Sequence, residues 1–181
     1  MKYLLLFFIL LAYANAESVR DVYNNYQNKN YLKACKIGEK LLSRHQEDEK
    51  FVSLYAFSCL KADEIDNLAK PVVLLTKSEE ARSNAAYFSV IIMQKKLLFH
   101  ALLDTYNFKS LKLPTTDYVL SKVFDLYINS TENGKKHFYS FTDPENNKHS
   151  YRLFVTRDAS KRKIVIEEYY DTILTKRHIY R

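Results

Sequence analysis

Cys35 and Cys59 are the only cysteines in the chain, and the chemistry open to such a pair is a bridge, a shared metal or nucleophilic attack. A redox-active pair would be a CxxC at a helix start, and none is encoded. Their placement favours a disulfide. With a helix-hairpin turn near Gln46 and Glu47, Cys35 lies about 11 residues before the turn and Cys59 about 12 after it. At a rise of ~1.5 Å per residue the two then sit at one height on antiparallel helices, within bridging range. Two buried free thiols are the alternative. His45, His100, His137, His149 and His178 are isolated, with no second ligand at the i+3 or i+4 spacing that zinc sites use. A cluster of His137, His149 and His178 on adjacent strands is conceivable, but solvent-facing positions are the expectation for them, and no metal or cofactor is expected. GxSxG, HExxH and glycine-rich phosphate loops are absent. Glu167 and Glu168 are consecutive, so on a strand they face opposite ways and cannot share a proton-transfer site. Asn129-Ser130-Thr131 fits a glycosylation acceptor, a pattern short enough to arise by chance. No catalytic residue emerges, and a non-enzyme is expected.

The start of the chain supplies the compartment in which the cysteines would meet. Lys2, the apolar run from Tyr3 to Ala12, and the small residues Ala14 and Ala16 have the layout of a secretory signal peptide over residues 1 to 16. Cleavage would leave Glu17 as the mature N-terminus. The apolar run is shorter than the roughly 18 to 20 residues that span a bilayer, so no membrane anchor is expected in the mature chain. A periplasmic location is expected, with secretion as the alternative, and an oxidising compartment favours pairing of an even number of cysteines.

Composition excludes disorder. Apolar residues make up 47% of the 181, with 15 Tyr and 11 Phe to build a core, whereas 2 Gly and 3 Pro leave little for loop-rich sandwiches. The formal charge is +7, and it is unevenly spread: from Gly134 onward 11 Lys and Arg face 6 Asp and Glu. In an exported protein such a surface meets lipid headgroups, acidic polysaccharide or acidic protein faces, and nucleic acid is not expected as a partner.

Two periodicities divide the chain. Up to about residue 130, apolar positions fall three and four apart, the spacing of helices. The pattern predicts helices over Tyr31 to Arg44 with Asn30 as N-cap, Glu47 to Lys61, Asn67 to Lys77 with Pro71 near its start, Ser78 to Met93, and Leu97 to Tyr106. After a break at Lys109 to Pro114, a last helix follows Thr115 or Thr116. From 135 to 181 the period becomes two. Lys136 to Thr142, Ser150 to Arg157, Arg162 to Tyr170 and Ile173 to Tyr180 read as strands whose short links require an antiparallel meander. Tyr151, Leu153, Val155, Ile164 and Ile166 should form its buried face. The boundary is expected at Asn129 to Lys135, around Asn133-Gly134. The class is therefore α+β, with a helical domain over 17–130 and a four-stranded antiparallel β-meander over 135–181.

A weak repeat of 34 residues superposes Tyr31, Ile65 and Phe99, and likewise Ala34, Leu68 and Leu102. Val52-x-x-Tyr55-Ala56-x-x-Cys59 and Asn30-Tyr31-x-x-Ala34 match the large and small positions of the two helices of a tetratricopeptide repeat. Over about residues 18 to 108 the chain resembles a degenerate tetratricopeptide-repeat protein. It departs from the family pattern in having no Trp, in Gly38 and Leu68, and in lacking the closing proline at Gln46. The resemblance implies a concave groove lined by the first helix of each repeat, at Lys50, Ser53, Phe57 and Leu60 and, one period on, at Asn84, Tyr87, Ile91 and Gln94. Such a groove takes a segment of a partner protein. The expected function is therefore protein binding or scaffolding in the cell envelope. The alternative is a binder of envelope glycan or anionic glycolipid that uses the basic, aromatic C-terminal sheet.

Overall fold

Helices begin where the sequence provides an oxygen to receive orphan backbone N–H groups. The computed structural model describes residues 17–108, 111–130, 136–158 and 161–181; the signal-peptide segment and Asn133-Gly134 lie outside them. Helix α1 (Val19–Gln27) starts with a capping box in which Ser18 Oγ accepts from Asp21 N and Ser18 N donates to Asp21 Oδ2 at 2.8 Å. Helix α2 (Tyr31–Leu41) follows Asn30, which holds the cap position but makes no side-chain cap bond, and ends in a 3₁₀ turn over Leu42–Arg44. Asp48 caps α3 (Glu49–Lys61), accepting from Lys50 N and Phe51 N. A 3₁₀ turn (Ile65–Leu68) leads into the short α4 (Ala69–Leu74), with Pro71 in its first turn. Ser78 caps α5 (Glu79–Asp104), and α6 (Val119–Asn129) completes the helical part. Thr116 braces the start of α6 by accepting from Tyr118 N, and Tyr118 itself takes the cap position.

Helix α5 corrects the sequence reading most sharply. Two helices are predicted there, separated by the polar run Gln94-Lys95-Lys96, and one 26-residue helix is observed. The polar run does not break the helix because its first two side chains are buried and bonded: Gln94 Nε2 donates to the Pro114 carbonyl at 3.0 Å, and Lys95 Nζ pairs with Asp66 at 2.8 Å. By length and composition α5 could also cross a membrane; here it is the central helix, packed on α3, α4 and α6.

The α2–α3 hairpin is close-packed at Gly38. A Cβ there would lie 2.6 Å from Tyr55 Cδ2, so glycine is what lets the helices approach. The Cys35–Cys59 disulfide joins the same two helices, with Cα atoms 4.7 Å apart. Its presence fits an oxidising compartment.

Four strands follow, β1 (Tyr139–Thr142), β2 (His149–Asp158), β3 (Lys161–Tyr170) and β4 (Ile173–Tyr180), in an antiparallel sheet of order β1-β2-β3-β4. The fold is α+β, six helices and then a meander among the described residues. Strand β1 begins three residues later than the pattern predicts. Leu153 pairs with Ile166, and Ile166 with His178, which places these three on one face with Tyr151, Ile164 and Tyr180. That face is buried, and its side chains belong to the same apolar core as those of the helices. Val155 is only half-buried.

Candidate functional site

A cleft of about 490 Å³ opens where α3, α5, the start of α6 and the last two strands meet. Helix α3 presents Phe57, Leu60 and Lys61 to it, one helical turn apart. Helix α5 supplies Ser83, Asn84 and Tyr87, and the far wall is Asp117, Tyr118 and Val119. Strands β3 and β4 close the base with Glu168, Lys176 and His178. The Phe57 ring meets Phe88 edge-on at 4.9 Å and Tyr87 at 6.4 Å, forming an apolar shelf. Tyr87 donates its hydroxyl proton to Asp117 Oδ1 at 2.7 Å, and Asn84 Nδ2 donates to Ser53 Oγ at 3.2 Å. Burial, with the Asp117 carboxylate accepting that proton, pushes the Tyr87 phenol up, so it stays a neutral donor.

At the base, His178 is 2% exposed and fully bonded. Nδ1 lies 2.8 and 2.9 Å from the two oxygens of Asp63, and Nε2 lies 2.7 Å from Glu168 Oε1. An imidazole with a carboxylate on each nitrogen is satisfied only as the cation, in which both nitrogens donate. Burial lowers the pKa of the ring, but the bonds to Asp63 and Glu168 outweigh it and the net shift is upward. The Glu168 carboxyl is lowered in turn, first by its bond with His178. Tyr118 donates to Asp63 Oδ1 at 2.6 Å, and Tyr180 donates to the Tyr118 oxygen at 3.4 Å. Burial raises both phenols well above the ordinary tyrosine range, with the Asp63 charge adding to it. Asp63 sits just beyond α3 at φ 62, a left-handed conformation that Asp tolerates better than most residues. The network thus ties the end of α3 to β4 across 115 residues of chain. His178 has no nitrogen left to take or give a proton to a ligand, and both cysteines are bridged. Among the described residues no group of three His, Cys, Asp or Glu is disposed to hold a metal ion.

No protein family, curated protein or solved structure matches the chain. Function is therefore argued from the site itself.

Of the groove positions implied by the sequence, Phe57, Leu60, Asn84 and Tyr87 line this cleft together, although Leu60 is 2% exposed and shows mainly its edge. Ser53 reaches it through Asn84. Lys50 is exposed on the first turn of α3, outside the cleft walls. Ile91 and Gln94 are fully buried, Ile91 in the apolar core and Gln94 bonded to the Pro114 carbonyl; they form core, not surface. Sequence reasoning did not find Asp63, Asp117, Tyr118, Glu168 or the inward placement of His178. The one signal available was parity: His178 and Tyr180 alternate with Arg177 and Ile179, but the register that turns them inward is set by pairing with Ile166 and Ile164.

A wider cleft, about 800 Å³, lies between α6 and the β1–β2 turn. Its polar groups largely satisfy one another: Tyr151 donates to Asp143, which also accepts from Glu145 N, and Thr115 donates to Asp125. On the outer face of the sheet, Arg177 is tied to Glu167, and the Arg152 guanidinium lies over the rings of Phe138 at 4.9 Å and Tyr169 at 5.7 Å.

Proposed function

We propose that this is an exported, non-enzymatic binding or scaffolding protein of the cell envelope, and that it captures a segment of a partner protein in the cleft between α3 and α5. The carrying observation is that Phe57 and Tyr87, from two different helices, form one half-exposed aromatic shelf in a concave site bordered by hydrogen-bonding groups. Aromatic anchors of this kind dominate the energetics of protein interfaces. The tetratricopeptide-like reading of the hairpins, the signal peptide at residues 1–16 and a periplasmic destination belong to the same proposal, and the disulfide supports the last of these. The glycan or glycolipid reading is less favoured, because Arg152 and Arg177 on the sheet are already engaged within the molecule.

The test is capture from the envelope fraction by the wild type and by Phe57→Ala/Tyr87→Ala, with co-eluting proteins identified by mass spectrometry. Each truncation should cost on the order of 2 kcal/mol of binding, enough together to abolish capture while circular dichroism stays near wild type. Capture that survives the double change in a folded protein would overturn the proposal.

A further inference from the structure

A second groove, about 660 Å³, lies beside the first and is lined by Lys29, Lys33, Lys36 and Lys61 around Tyr31 and Leu32. Lys33 and Lys36, three apart on α2, share one side of that helix, and Lys29 joins them from the α1–α2 turn, where its φ is 60. Lys61, in the last turn of α3, completes the set, and all four are exposed. None of the four forms an ion pair with a carboxylate among the described residues, although the Asp21 carboxylate feels the charge of Lys33 at longer range. Other lysines are paired: Lys40 with Glu17 at 2.9 Å, Lys77 with Glu47, Lys95 and Lys96 with Asp66, Lys148 with Asp171. Four like charges converging on one concave surface repel one another, and an anionic ligand removes that repulsion. Leu32, 46% exposed between them, adds an apolar contact.

The two grooves adjoin, because Lys61 lines both. An extended segment lying over Phe57 and Tyr87 and passing Lys61 runs next onto Lys29, Lys33 and Lys36. We infer that the ligand is an acidic peptide segment, in which an apolar anchor for the cleft is flanked by Asp or Glu side chains that the four lysines receive. This rests on the proposed function in taking the ligand to be protein. That the lysine groove adjoins the cleft at Lys61 favours an extended chain, which can reach both, over a planar lipid bilayer.

The experiment measures fluorescence anisotropy of fluorescein-labelled decaglutamate with the purified protein at low salt. Lys33→Glu/Lys36→Glu should weaken binding at least tenfold, and Lys33→Gln/Lys36→Gln by less, whereas Arg157→Glu/Arg162→Glu on the sheet should change it less than twofold. Binding should vanish in 1 M salt, where the Debye length falls to ~3 Å. Circular dichroism checks that each variant is folded. Absent binding by the wild type, or equal loss in the helix and sheet variants, overturns the inference. Sedimentation with phosphatidylglycerol vesicles that depends on Lys33 and Lys36, in a protein that ignores decaglutamate, replaces it with a lipid-surface role. Capture of the envelope partner reads the cleft through Phe57→Ala/Tyr87→Ala and decaglutamate binding reads the lysines through Lys33→Glu/Lys36→Glu, so a failure of the cleft proposal is read separately from a failure of this one.

Discussion

Replacing His178 with Gln removes a buried cation and leaves a neutral amide that donates to only one of two carboxylates. The ring bonds to Asp63 at 2.8 and 2.9 Å and to Glu168 at 2.7 Å. Charge-assisted bonds contribute about 1.5 to 3 kcal/mol each, and deleting one partner of a buried ion pair costs roughly 3 to 5 kcal/mol. The side chains of Asp63 and Glu168 keep 17% and 29% exposure and so recover some hydration, which places the expected loss at the lower end, about 3 kcal/mol. For a chain of this size each kcal/mol moves Tm by about 2 to 4 °C, so the variant should melt ~6 to 12 °C below wild type. The sign of the pH dependence follows from the raised imidazolium pKa. Stabilisation is complete below the unfolded value of about 6.5 and is withdrawn as pH rises through the folded value. The facing charges are Asp63 and Glu168, which hold the proton, and Lys176, which opposes it. Thermal melts of both proteins from pH 5.5 to 9.5 should show the Tm gap widest on the acid side and narrowing upward. A gap that widens with pH, or a His178 ring that titrates below 6.5 by NMR, would refute the reasoning.

Reducing the Cys35–Cys59 bridge, which closes a 24-residue separation, should lower stability by roughly 3.5 kcal/mol; free alkylation of both thiols in the folded oxidised protein would contradict the pairing. Gly38→Ala gains about 1 kcal/mol of helix propensity but drives a methyl into buried Tyr55, at an overpacking cost of about 1 to 3 kcal/mol, so a net fall in Tm is expected and an unchanged Tm would show that the helices can separate freely. Glu49 accepts from Thr76 N, Lys77 N and Ser78 N, and these bonds, led by that of Lys77, hold its carboxyl down to about 2. Its contribution is present above the unfolded carboxylate range and lost as pH falls toward 2, so Glu49→Gln should melt earlier at pH 7 and converge with wild type near pH 2.

The parts of this fold legible in the sequence are those governed by local chemistry. Ser78 announces its helix because a short oxygen-bearing side chain there meets orphan N–H groups. Strand alternation in Tyr151-x-Leu153 and Ile164-x-Ile166 reports the buried face, and antiparallel helix geometry anticipates the Cys35–Cys59 pairing. Tertiary partners hide the rest. Gln94-Lys95-Lys96 interrupts the apolar pattern although its residues favour helix, and the burial of its first two depends on Asp66 and the Pro114 carbonyl, brought to it by the fold. His178 has the composition of a wet sheet position and becomes the base of the cleft because Asp63 reaches it from 115 residues away. Helical spacing alone places Phe57, Leu60, Asn84 and Tyr87 on neighbouring faces, where they line one cleft; the burial of Ile91 and Gln94 depends on tertiary packing that spacing does not report.

The long-range tie between Asp63 and His178 also bears on when the molecule becomes competent. A chain emerges from synthesis N-terminus first, and local helical contacts form early. Helices α1 to α3 can therefore pair, and Cys35 can meet Cys59, while the last strand has yet to appear. The cleft, however, has no base until His178 and Tyr180 of β4 arrive, after every one of these helices has been made. Until β4 is in place, Asp63 faces water across an unfinished site. The walls of the cleft thus precede its base in the order of synthesis.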